Sequence, residues 1–284
     1  MNVLILGASG MLGNAMLRTF FELPEHHVFG TARSPAARRH FSAALGERIV
    51  CGVDVENHDS LARVFGEVRP ELVINCIGVV KQLAASEDPL ITLPINALLP
   101  HRLAALCKIA GARLVQISTD CVFSGSKGGY LESDFPDAND LYGRSKLLGE
   151  VGYPHAITLR TSIIGHELDG QRSLVNWFLA QQGDTRGFTR AVFSGLPTVV
   201  LARLVRDVIA ARPDLQGLYH VAAQPITKFD LISLIAKVYG KQIEIVPDEH
   251  LVIDRSLDAG RLREATGYVA PPWDELIAAM RAFH

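Results

Sequence analysis

The stretch GASGMLG at residues 7–13 directly follows the apolar run VLIL at residues 3–6. Its glycines at positions 7, 10 and 13 can form a tight turn, let a pyrophosphate approach the backbone, and let a helix pack closely on the strand. A helix that begins near Met11 would point its N-terminus at that phosphate. A glycine trio alone also fits a plain strand-to-helix turn, but a trio after the first strand of an alternating chain favours a dinucleotide site.

Short apolar runs continue along the chain, at intervals that leave room for helices: HVFGTA at 27–32, RIVCGV at 48–53, ELVINCIG at 71–78 and RLVQIS at 113–118. Helical periodicity is clearest in LPHRLAALCKIAG at 99–111, where Gly111 predicts a left-handed helix end. Strands that alternate with helices indicate a parallel sheet, and runs that are apolar throughout are expected where helices cover both faces. The sequence therefore predicts an α/β fold, a doubly wound parallel sheet of the Rossmann type.

The alternation ends after the run HAITLRTSIIG at 155–165. We assign residues 1–162 to a dinucleotide-binding Rossmann domain, and we expect residues 190–223 to return to it through the run GLYHVAA at 217–223. The remaining ranges are assigned to a smaller C-terminal substrate-binding lobe, namely residues 163–189 and 224–284.

The charge and the cysteine content exclude several classes of protein. A net charge of −2 over 284 residues leaves no electrostatic footprint for nucleic acid or an anionic membrane. The four cysteines contain no Cys-x-x-Cys pair, which argues against a zinc site. No run reaches the ~20 apolar residues of a membrane span. We expect a soluble cytoplasmic protein without a metal, nucleic acid or membrane partner.

Tyr142 and Lys146 are four positions apart in the run LYGRSK at residues 141–146, on one face of a predicted helix. A phenol has an ordinary pKa of about 10 and needs a neighbouring ammonium to act as a proton donor in carbonyl reduction. Thr119 follows the strand RLVQIS at the edge where a doubly wound sheet binds ligands, so we expect it to polarise the carbonyl. A Tyr-x-x-x-Lys pattern alone is common by chance, but its place after a strand-end Ser-Thr makes chance a poor explanation.

The end of the second strand indicates which dinucleotide binds. An NAD enzyme places an acid there for the ribose 2′-hydroxyl, but this strand ends GTARS at residues 30–34. Arg33 can instead pair with a 2′-phosphate, unless it is an ordinary solvated arginine, as we expect of Arg38 and Arg39. The sequence therefore predicts NADP(H), with NAD(H) as the alternative. Asp54 fits either a contact with the adenine amine or a simple turn.

These motifs resemble those of the extended short-chain dehydrogenase/reductase family, and most closely the dTDP-4-dehydrorhamnose reductase group, which reduces 4-keto sugars attached to nucleotides. The resemblance covers nearly the whole chain, through GASGMLG, ISTDCVF at 117–123, LYGRSKLLGE at 141–150, LRTSIIG at 159–165, GLPTVVLARLV at 195–205 and SLDAGRLREATGY at 256–268. It implies that Thr119, Tyr142 and Lys146 are catalytic. It also implies a cofactor-binding set: Gly7, Ser9, Gly10, Met11, Leu12, Gly13, Arg33, Asp54, Val55, Asn75, Cys76, Ile77, Gly78, Tyr142 and Lys146.

Two departures from the group limit what the resemblance implies about the sugar. Cys121 stands where the group has tyrosine after Thr-Asp, and NCIGVVKQ at 75–82 replaces Asn-Ala-Ala-Ala-Tyr-Thr. Both would face the sugar, so the reaction class carries over better than the substrate. Lys81 and Gln82 are further substrate candidates, although a lysine in such a loop is more often solvated.

Asn176 and Trp177 in SLVNWFLAQQ are candidates for gripping the nucleotide, because this region does so in related enzymes. The alternative is an amphipathic helix that buries Trp177 and Phe178. His101 and His220 are expected to be structural.

Three functions compete on this sequence. The first is NADPH-dependent reduction of the 4-keto group of a nucleotide-linked 4-keto-6-deoxy sugar, in the synthesis of cell-surface polysaccharide precursors. The second is an NAD-dependent epimerase or dehydratase; the missing acid after the second strand and the lack of an acid pair after Thr119 count against it. The third is a non-catalytic NADP-binding regulatory subunit, like that of methionine adenosyltransferase, which an intact Tyr142 and Lys146 disfavour. The expected partner is a nucleotide sugar, with a homodimer as an open option.

Overall fold

The computed structural model describes residues 1–81 and 84–284, the side chain of Ala84 excepted. Its contacts divide the chain into two compact units. The first unit comprises Met1–Ser118, Asn139–Leu159 and Ala202–Leu218, and the second comprises Thr119–Ala138, Arg160–Leu201 and Tyr219–His284.

The strands of the described chain are short and are numbered in chain order: β1 Asn2–Leu6, β2 His27–Ala32, β3 Ile49–Cys51, β4 Leu72–Asn75, β5 Arg113–Thr119, β6 Ala156–Thr161, β7 Ile163–Ile164, β8 Thr185–Phe188, β9 Ala191–Phe193, β10 Leu196–Pro197, β11 Gly217–His220, β12 Ile226–Thr227, β13 Ile245–Asp248 and β14 Ile253–Asp254. The α-helices follow the same order: α1 Met11–Phe21, α2 Ala43–Gly46, α3 His58–Val68, α4 Pro89–Thr92, α5 Leu99–Ala110, α6 Leu141–Leu148, α7 Leu174–Ala180, α8 Thr198–Leu204, α9 Lys228–Tyr239, α10 Gly260–Thr266 and α11 Trp273–Phe283. A π-helical segment, Leu93–Leu98, joins α4 to α5.

The central sheet confirms the predicted fold class. Within the described residues it is a seven-stranded parallel sheet with helices on its flanks, in the order β11-β6-β5-β4-β1-β2-β3. The chain starts in the middle of the sheet and steps first to β2 and β3, then across to β4, β5 and β6. Such a reversal beside the first strand creates the crevice in which doubly wound folds bind ligands. The run GLYHVAA does return to this sheet, as β11 at its edge.

The first unit has its own apolar core. Residues Val3–Leu6 of β1 have no solvent-exposed surface, as expected for a strand covered on both faces. Helices α3 and α5 pack on one side of the strands, and α5 ends at Gly111 with a φ of +68°, as predicted. A residue with a side chain at that position would be strained.

The second unit has a separate core between α7, α9 and α11, centred on Val175, Phe178 and Ile235. Strand β9 lies between β12 and β14 in a small sheet. The two compact units and the expected domains differ in four ranges, all of which fall in the second unit: residues 119–138, 160–162, 190–201 and 219–223. Residues 119–138 are held there through hydrogen bonds such as Asp254 N–H to the Gly125 carbonyl, and residues 190–201 contain β9.

One helical stretch, Pro89–Ala110, is long and apolar enough to cross a membrane by length and composition alone. This differs from the expectation that no run reaches the ~20 apolar residues of a membrane span. The buried core helices of soluble proteins pass the same test, and 44% of an apolar 18-residue window of this stretch is buried inside the protein.

The glycine turn generates a prediction about stability. A Cβ on Gly13 would lie 2.0 Å from the Gly7 carbonyl oxygen, so the backbone of the turn must move to accept one. We expect Gly13→Ala to lower the free energy of unfolding by about 1–3 kcal/mol, the usual cost of overpacking. The matched control is Gly66→Ala in α3, where a Cβ meets nothing within 4 Å. Urea denaturation should show a gain of about 0.4–1 kcal/mol for the control; equal effects for the two variants contradict the account.

Candidate active site

The glycine turn leaves the N-terminus of α1 open. Gly7 adopts a φ of +85°, and its amide donates to Thr31 Oγ1 at 3.2 Å, which ties the turn to the end of β2. Gly10 caps α1 without any side-chain hydrogen bond, and no acid stands in the first turn of the helix. Backbone N–H groups at such an end have no helical partners and favour an anion. A Cβ on Gly13 would lie 2.0 Å from the Gly7 carbonyl oxygen, so a glycine there lets the turn close tightly on α1.

The end of β2 carries the predicted selector of the 2′-phosphate. Arg33 is exposed, and its guanidinium makes no hydrogen bond or ion pair within the described part of the chain. Arg38 differs, because it donates to the Ile49 carbonyl at 2.8 Å and so is not the simply solvated arginine that we expected. Ser34 caps the short helical segment Pro35–His40 by accepting the Ala36 amide at 3.2 Å. Arg33 is therefore the arginine in this segment that is available to a ligand.

Asp54 lies in a turn between β3 and α3. Its Oδ1 accepts the Glu56 amide at 3.0 Å, and its own amide donates to Ser60 Oγ at 3.1 Å. The turn alternative is therefore realised, while the exposed carboxylate leaves the adenine contact as a prediction. The neighbouring Val55 packs against the core of the first unit.

The segment after β4 brings predicted cofactor residues next to Lys146, the predicted catalytic lysine. Asn75 is buried, donating to Gln116 Oε1 at 2.8 Å and accepting the Ile77 amide at 3.1 Å, so its side chain shapes the backbone of this turn. Burial raises the pKa of the Cys76 thiol to about 12, although the Lys146 charge opposes this. A Cβ on Gly78 would lie 3.8 Å from Lys146 Nζ, so the backbone passes close to the ammonium there.

Helix α6 confirms the predicted helical placement of Tyr142 and Lys146. Asp140 caps the helix through Oδ1, which accepts the Gly143 amide at 2.7 Å. Lys146 is only 7% exposed, and its Nζ donates to the Ile117 carbonyl of β5 at 2.7 Å. Burial lowers its pKa to about 8, and the charges of Glu150 and Cys76 oppose that shift. An ammonium with this pKa can lose or regain charge near neutral pH, as proton-transfer sites require.

Asn96 is a buried polar residue that sequence reasoning missed. Its Oδ1 accepts the Val79 amide at 2.9 Å, and its Nδ2 donates to the Val79 carbonyl and to Ser145 Oγ at 3.3 Å. A Cβ on Gly149 would lie 2.0 Å from the Asn96 carbonyl oxygen, so α6 packs very closely here. Asn96 thus joins the segment after β4 to helix α6. The available signal was a lone amide in the apolar run ITLPINALLP.

Thr119 is the first residue of the second unit, whereas Tyr142 and Lys146 belong to the first. Its Oγ1 accepts the Cys121 amide at 3.1 Å and donates to Asp120 Oδ1 at 3.2 Å. The hydroxyl therefore has a fixed orientation at the end of β5. Cys121 is half-buried within the same turn.

Three charged side chains beside this turn were also missed. Burial raises the pKa of the Asp120 carboxyl above its ordinary value, and the charges of Arg255 and Lys228 oppose the shift. Arg255 Nε donates to the Phe123 carbonyl at 2.8 Å, which fixes that guanidinium against the turn. Burial lowers the pKa of Lys228, although Asp120 partly offsets the effect. The surroundings of Cys121 are thus strongly charged, which no local pattern in the sequence indicates.

The weaker substrate candidates are placed as follows. Lys81 forms an exposed ion pair with Asp140, at 2.8 Å between Nζ and Oδ2, while Gln82 lies outside the described residues. Asn176 accepts the Glu167 amide at 3.2 Å, so it supports its own loop. Trp177 is 37% exposed, so the alternative in which the helix buries it holds only for Phe178.

The two histidines that were expected to be structural both contact backbone carbonyls. His220 has no exposed surface and contacts the Tyr130 carbonyl at 3.0 Å, and His101 contacts the Leu148 carbonyl at 2.8 Å. Within residues 1–81 and 84–284, no group of three or more His, Cys, Asp or Glu side chains is arranged to hold a metal ion.

A family model, several relatives and several solved structures match most of this chain. The model of the RmlD substrate binding domain family matches residues 1–280. A probable low-salt glycan biosynthesis reductase of Haloferax volcanii is 27% identical, across 99% of this chain and 98% of its own length. The methionine adenosyltransferase 2 subunit beta of Danio rerio is 27% identical, across 88% and 76%. The dTDP-4-dehydrorhamnose reductase of Bacillus anthracis, solved in complex with NADP, superimposes with a TM-score of 0.80 at 23% identity, across 99% and 98%.

The chain therefore belongs to the RmlD substrate binding domain family, within the extended short-chain dehydrogenase/reductase group of NAD(P)-dependent oxidoreductases. The predicted family is confirmed.

The lowered pKa of Lys146 predicts how stability changes with pH. The folded chain gives up this proton near pH 8, whereas an unfolded lysine keeps it until about 10.5. Between these values the unfolded state binds more protons, so the contribution of Lys146 to stability rises with pH. We expect the difference in unfolding free energy between the native protein and Lys146→Met to rise by about 2 kcal/mol from pH 7 to 9.5.

Urea denaturation of both proteins at the two pH values measures this difference, in which the titration of Cys76 largely cancels because both proteins contain it. A difference that stays flat or falls with pH shows that Lys146 is not desolvated as described.

Proposed function

We propose that this protein uses NADPH to reduce the 4-keto group of a nucleotide-linked 4-keto-6-deoxy sugar, and that it acts in the cytoplasm on precursors of cell-surface polysaccharides. The observation that carries the proposal is the pair Tyr142 and Lys146 on α6, with Lys146 buried against Ile117 and its pKa lowered to about 8. A buried ammonium one helical turn from a phenol suits proton transfer, because perturbed lysines of this kind cluster at functional sites. The glycan biosynthesis reductase of Haloferax volcanii supports the same reaction class.

The residues that would hold the cofactor fit that role. The turn of Gly7, Gly10 and Gly13 would receive the pyrophosphate at the start of α1, and Arg33 would pair with the 2′-phosphate. When bound, NADPH supplies the hydride. Lys146 Nζ, which points to the end of β5, would also hold the nicotinamide ribose.

The proton in this scheme comes from the chain. Tyr142 donates its hydroxyl proton to the carbonyl oxygen, and the charge on Lys146 favours the phenolate that remains. We assign polarisation of the carbonyl to Thr119 Oγ1, whose hydrogen turns from Asp120 Oδ1 to the substrate oxygen when the sugar binds. In this scheme the phenol donates the proton, the ammonium stabilises the phenolate that remains, and the Thr119 hydroxyl polarises the carbonyl.

We further propose that the sugar differs from the dTDP-rhamnose precursor. Cys121 stands where the related reductases have a tyrosine. The turn after β5 therefore lacks a bulky ring and a hydroxyl, which leaves room for a larger substituent such as an N-acetyl group. The charged groups Asp120, Lys228 and Arg255 beside it suit a polar substituent. Loss of a hydrogen-bonding partner discriminates strongly between substrates, because a polar group of the old substrate is left unpaired.

A second candidate function follows from one relative. The methionine adenosyltransferase 2 subunit beta of Danio rerio has comparable identity, so a role as a binding subunit has its own support. We rank it lower, because a regulatory role gives no reason to keep an ammonium as deeply buried as that of Lys146. The lack of an acid at the end of β2 likewise disfavours an NAD-retaining epimerase.

Removal of the Tyr142 hydroxyl tests the reaction. Tyr142→Phe should leave NADPH binding nearly intact and lower turnover of a nucleotide-linked 4-keto-6-deoxy sugar by about 10²–10⁴-fold, as for a lost general acid. Cofactor fluorescence titration and the rate of NADPH oxidation measure the two quantities. Full activity in the variant excludes Tyr142 as the proton donor.

Cofactor selection is tested at the end of β2. Arg33→Ala should weaken NADPH binding by about 1.5–3 kcal/mol, the range for a hydrogen bond to a charged group, and hardly change NADH binding. Arg39→Ala, in the same exposed segment, is the matched control and should leave both affinities unchanged. Isothermal titration gives the two dissociation constants, for NADPH and NADH, of each protein; an equal loss for both cofactors rules out the 2′-phosphate role.

A further inference from the structure

The carboxylate of Asp140 binds partners on two different segments. Its Oδ1 accepts the Gly143 backbone N–H at 2.7 Å and so caps α6. Its Oδ2 accepts from Lys81 Nζ at 2.8 Å, and Lys81 belongs to the segment that follows β4. Neither Lys81 nor Asp140 has a part in the proton transfer described above. Their contact connects the loop beyond the sheet edge to the first turn of the catalytic helix.

The two ends of α6 are held in different ways. The C-terminal part is fixed by buried contacts, between Lys146 and the Ile117 carbonyl and between Ser145 and Asn96. The first turn carries Tyr142 and begins at the Asp140 cap. A helix of eight residues is not stable by itself, so its cap decides how firmly the first turn is formed.

We propose that Lys81 is a positioning residue for Tyr142, and that it acts through Asp140 rather than by binding the substrate. The ammonium holds the second oxygen of the carboxylate, so the carboxylate keeps the orientation in which the first oxygen caps Gly143. The turn that carries the phenol then stays formed in each catalytic cycle. This role rests on the proposed function, in which Tyr142 donates the proton.

The size of the effect follows from the exposure of the pair. The two side chains are 44% and 36% exposed, so solvent screens the interaction and the expected changes are small. Small changes in the position of the Tyr142 hydroxyl still change the rate, because proton transfer depends on close alignment of the reacting groups. The Lys81 ammonium also neutralises the Asp140 carboxylate, two residues before Tyr142. Loss of the Lys81 charge leaves that carboxylate unpaired near the phenol. It should therefore move the high-pH limb of the kcat profile to higher pH, which loss of a purely structural contact would not do.

The test is a double-mutant cycle on the full-length protein with NADPH and a nucleotide-linked 4-keto-6-deoxy sugar. Lys81→Met removes the ion pair, and Asp140→Asn removes it while keeping a good helix cap. Each should lower kcat about 2- to 5-fold with little change in KM, and the double variant should be no worse than either single one. Lys81→Arg should restore most of kcat, because a guanidinium binds the same carboxylate.

A second measurement needs no sugar. Amide hydrogen exchange at residues 141–143 should be faster in Lys81→Met and Asp140→Asn than in the native protein, because the first turn opens more often. The control Arg63→Met removes a similarly exposed ion pair, with Glu67 in α3, and should change neither exchange nor kcat.

Two results overturn the proposal. One is a raised KM with unchanged kcat in Lys81→Met that adds to the effect of Asp140→Asn, since Lys81 then binds the substrate directly. The other is native exchange at residues 141–143 in both variants. If no 4-keto sugar is reduced by the native protein, the proposed function fails, while faster exchange in the variants still supports the link between Lys81 and α6.

Discussion

The buried hydrogen bond between Lys146 Nζ and the Ile117 carbonyl is the contact on which the candidate site depends. It brings an ammonium to the end of β5, in surroundings that lower its pKa to about 8. The neighbouring backbone makes room for it: Gly78 passes without a Cβ, and Gly149 lets α6 approach Asn96. Burial of a lysine costs stability unless its ammonium is hydrogen-bonded, and the Ile117 carbonyl supplies that partner here. The burial of Lys146 therefore accounts both for its lowered pKa and for the close packing of the backbone around it.

Much of the first unit could be predicted from the sequence, because its signals are local. The apolar runs, the glycine turn and the Gly111 helix end depend on neighbouring residues, and the strands and α5 lie close to where the patterns put them. The spacing of Tyr142 and Lys146 likewise depends only on helical geometry. Their place on α6 required no knowledge of distant contacts.

The parts that were missed depend on residues far apart in the chain. Asn96 acts on Val79 and Ser145, and Arg255 reaches Phe123, contacts that no sequence spacing reveals. The extent of the second unit depends on distant contacts in the same way: residues 119–138 come directly after residues of the first unit, but Gly125 accepts a hydrogen bond from Asp254 in β14. Lys81 was considered as a substrate contact or as a solvated lysine, and its pairing with Asp140, 59 positions away, is a third arrangement that the sequence did not indicate.

The most direct test of the central claim is the rate of NADPH oxidation by the purified protein with a panel of nucleotide-linked sugars. The panel should include the dTDP-linked precursor of rhamnose and UDP-linked 2-acetamido-4-keto-6-deoxy sugars. We predict NADPH oxidation that depends on the sugar, with a higher kcat/KM for the acetamido sugars. A clear preference for the rhamnose precursor would contradict the interpretation of Cys121. Oxidation no faster than without sugar, across the whole panel, would contradict the proposed reaction itself.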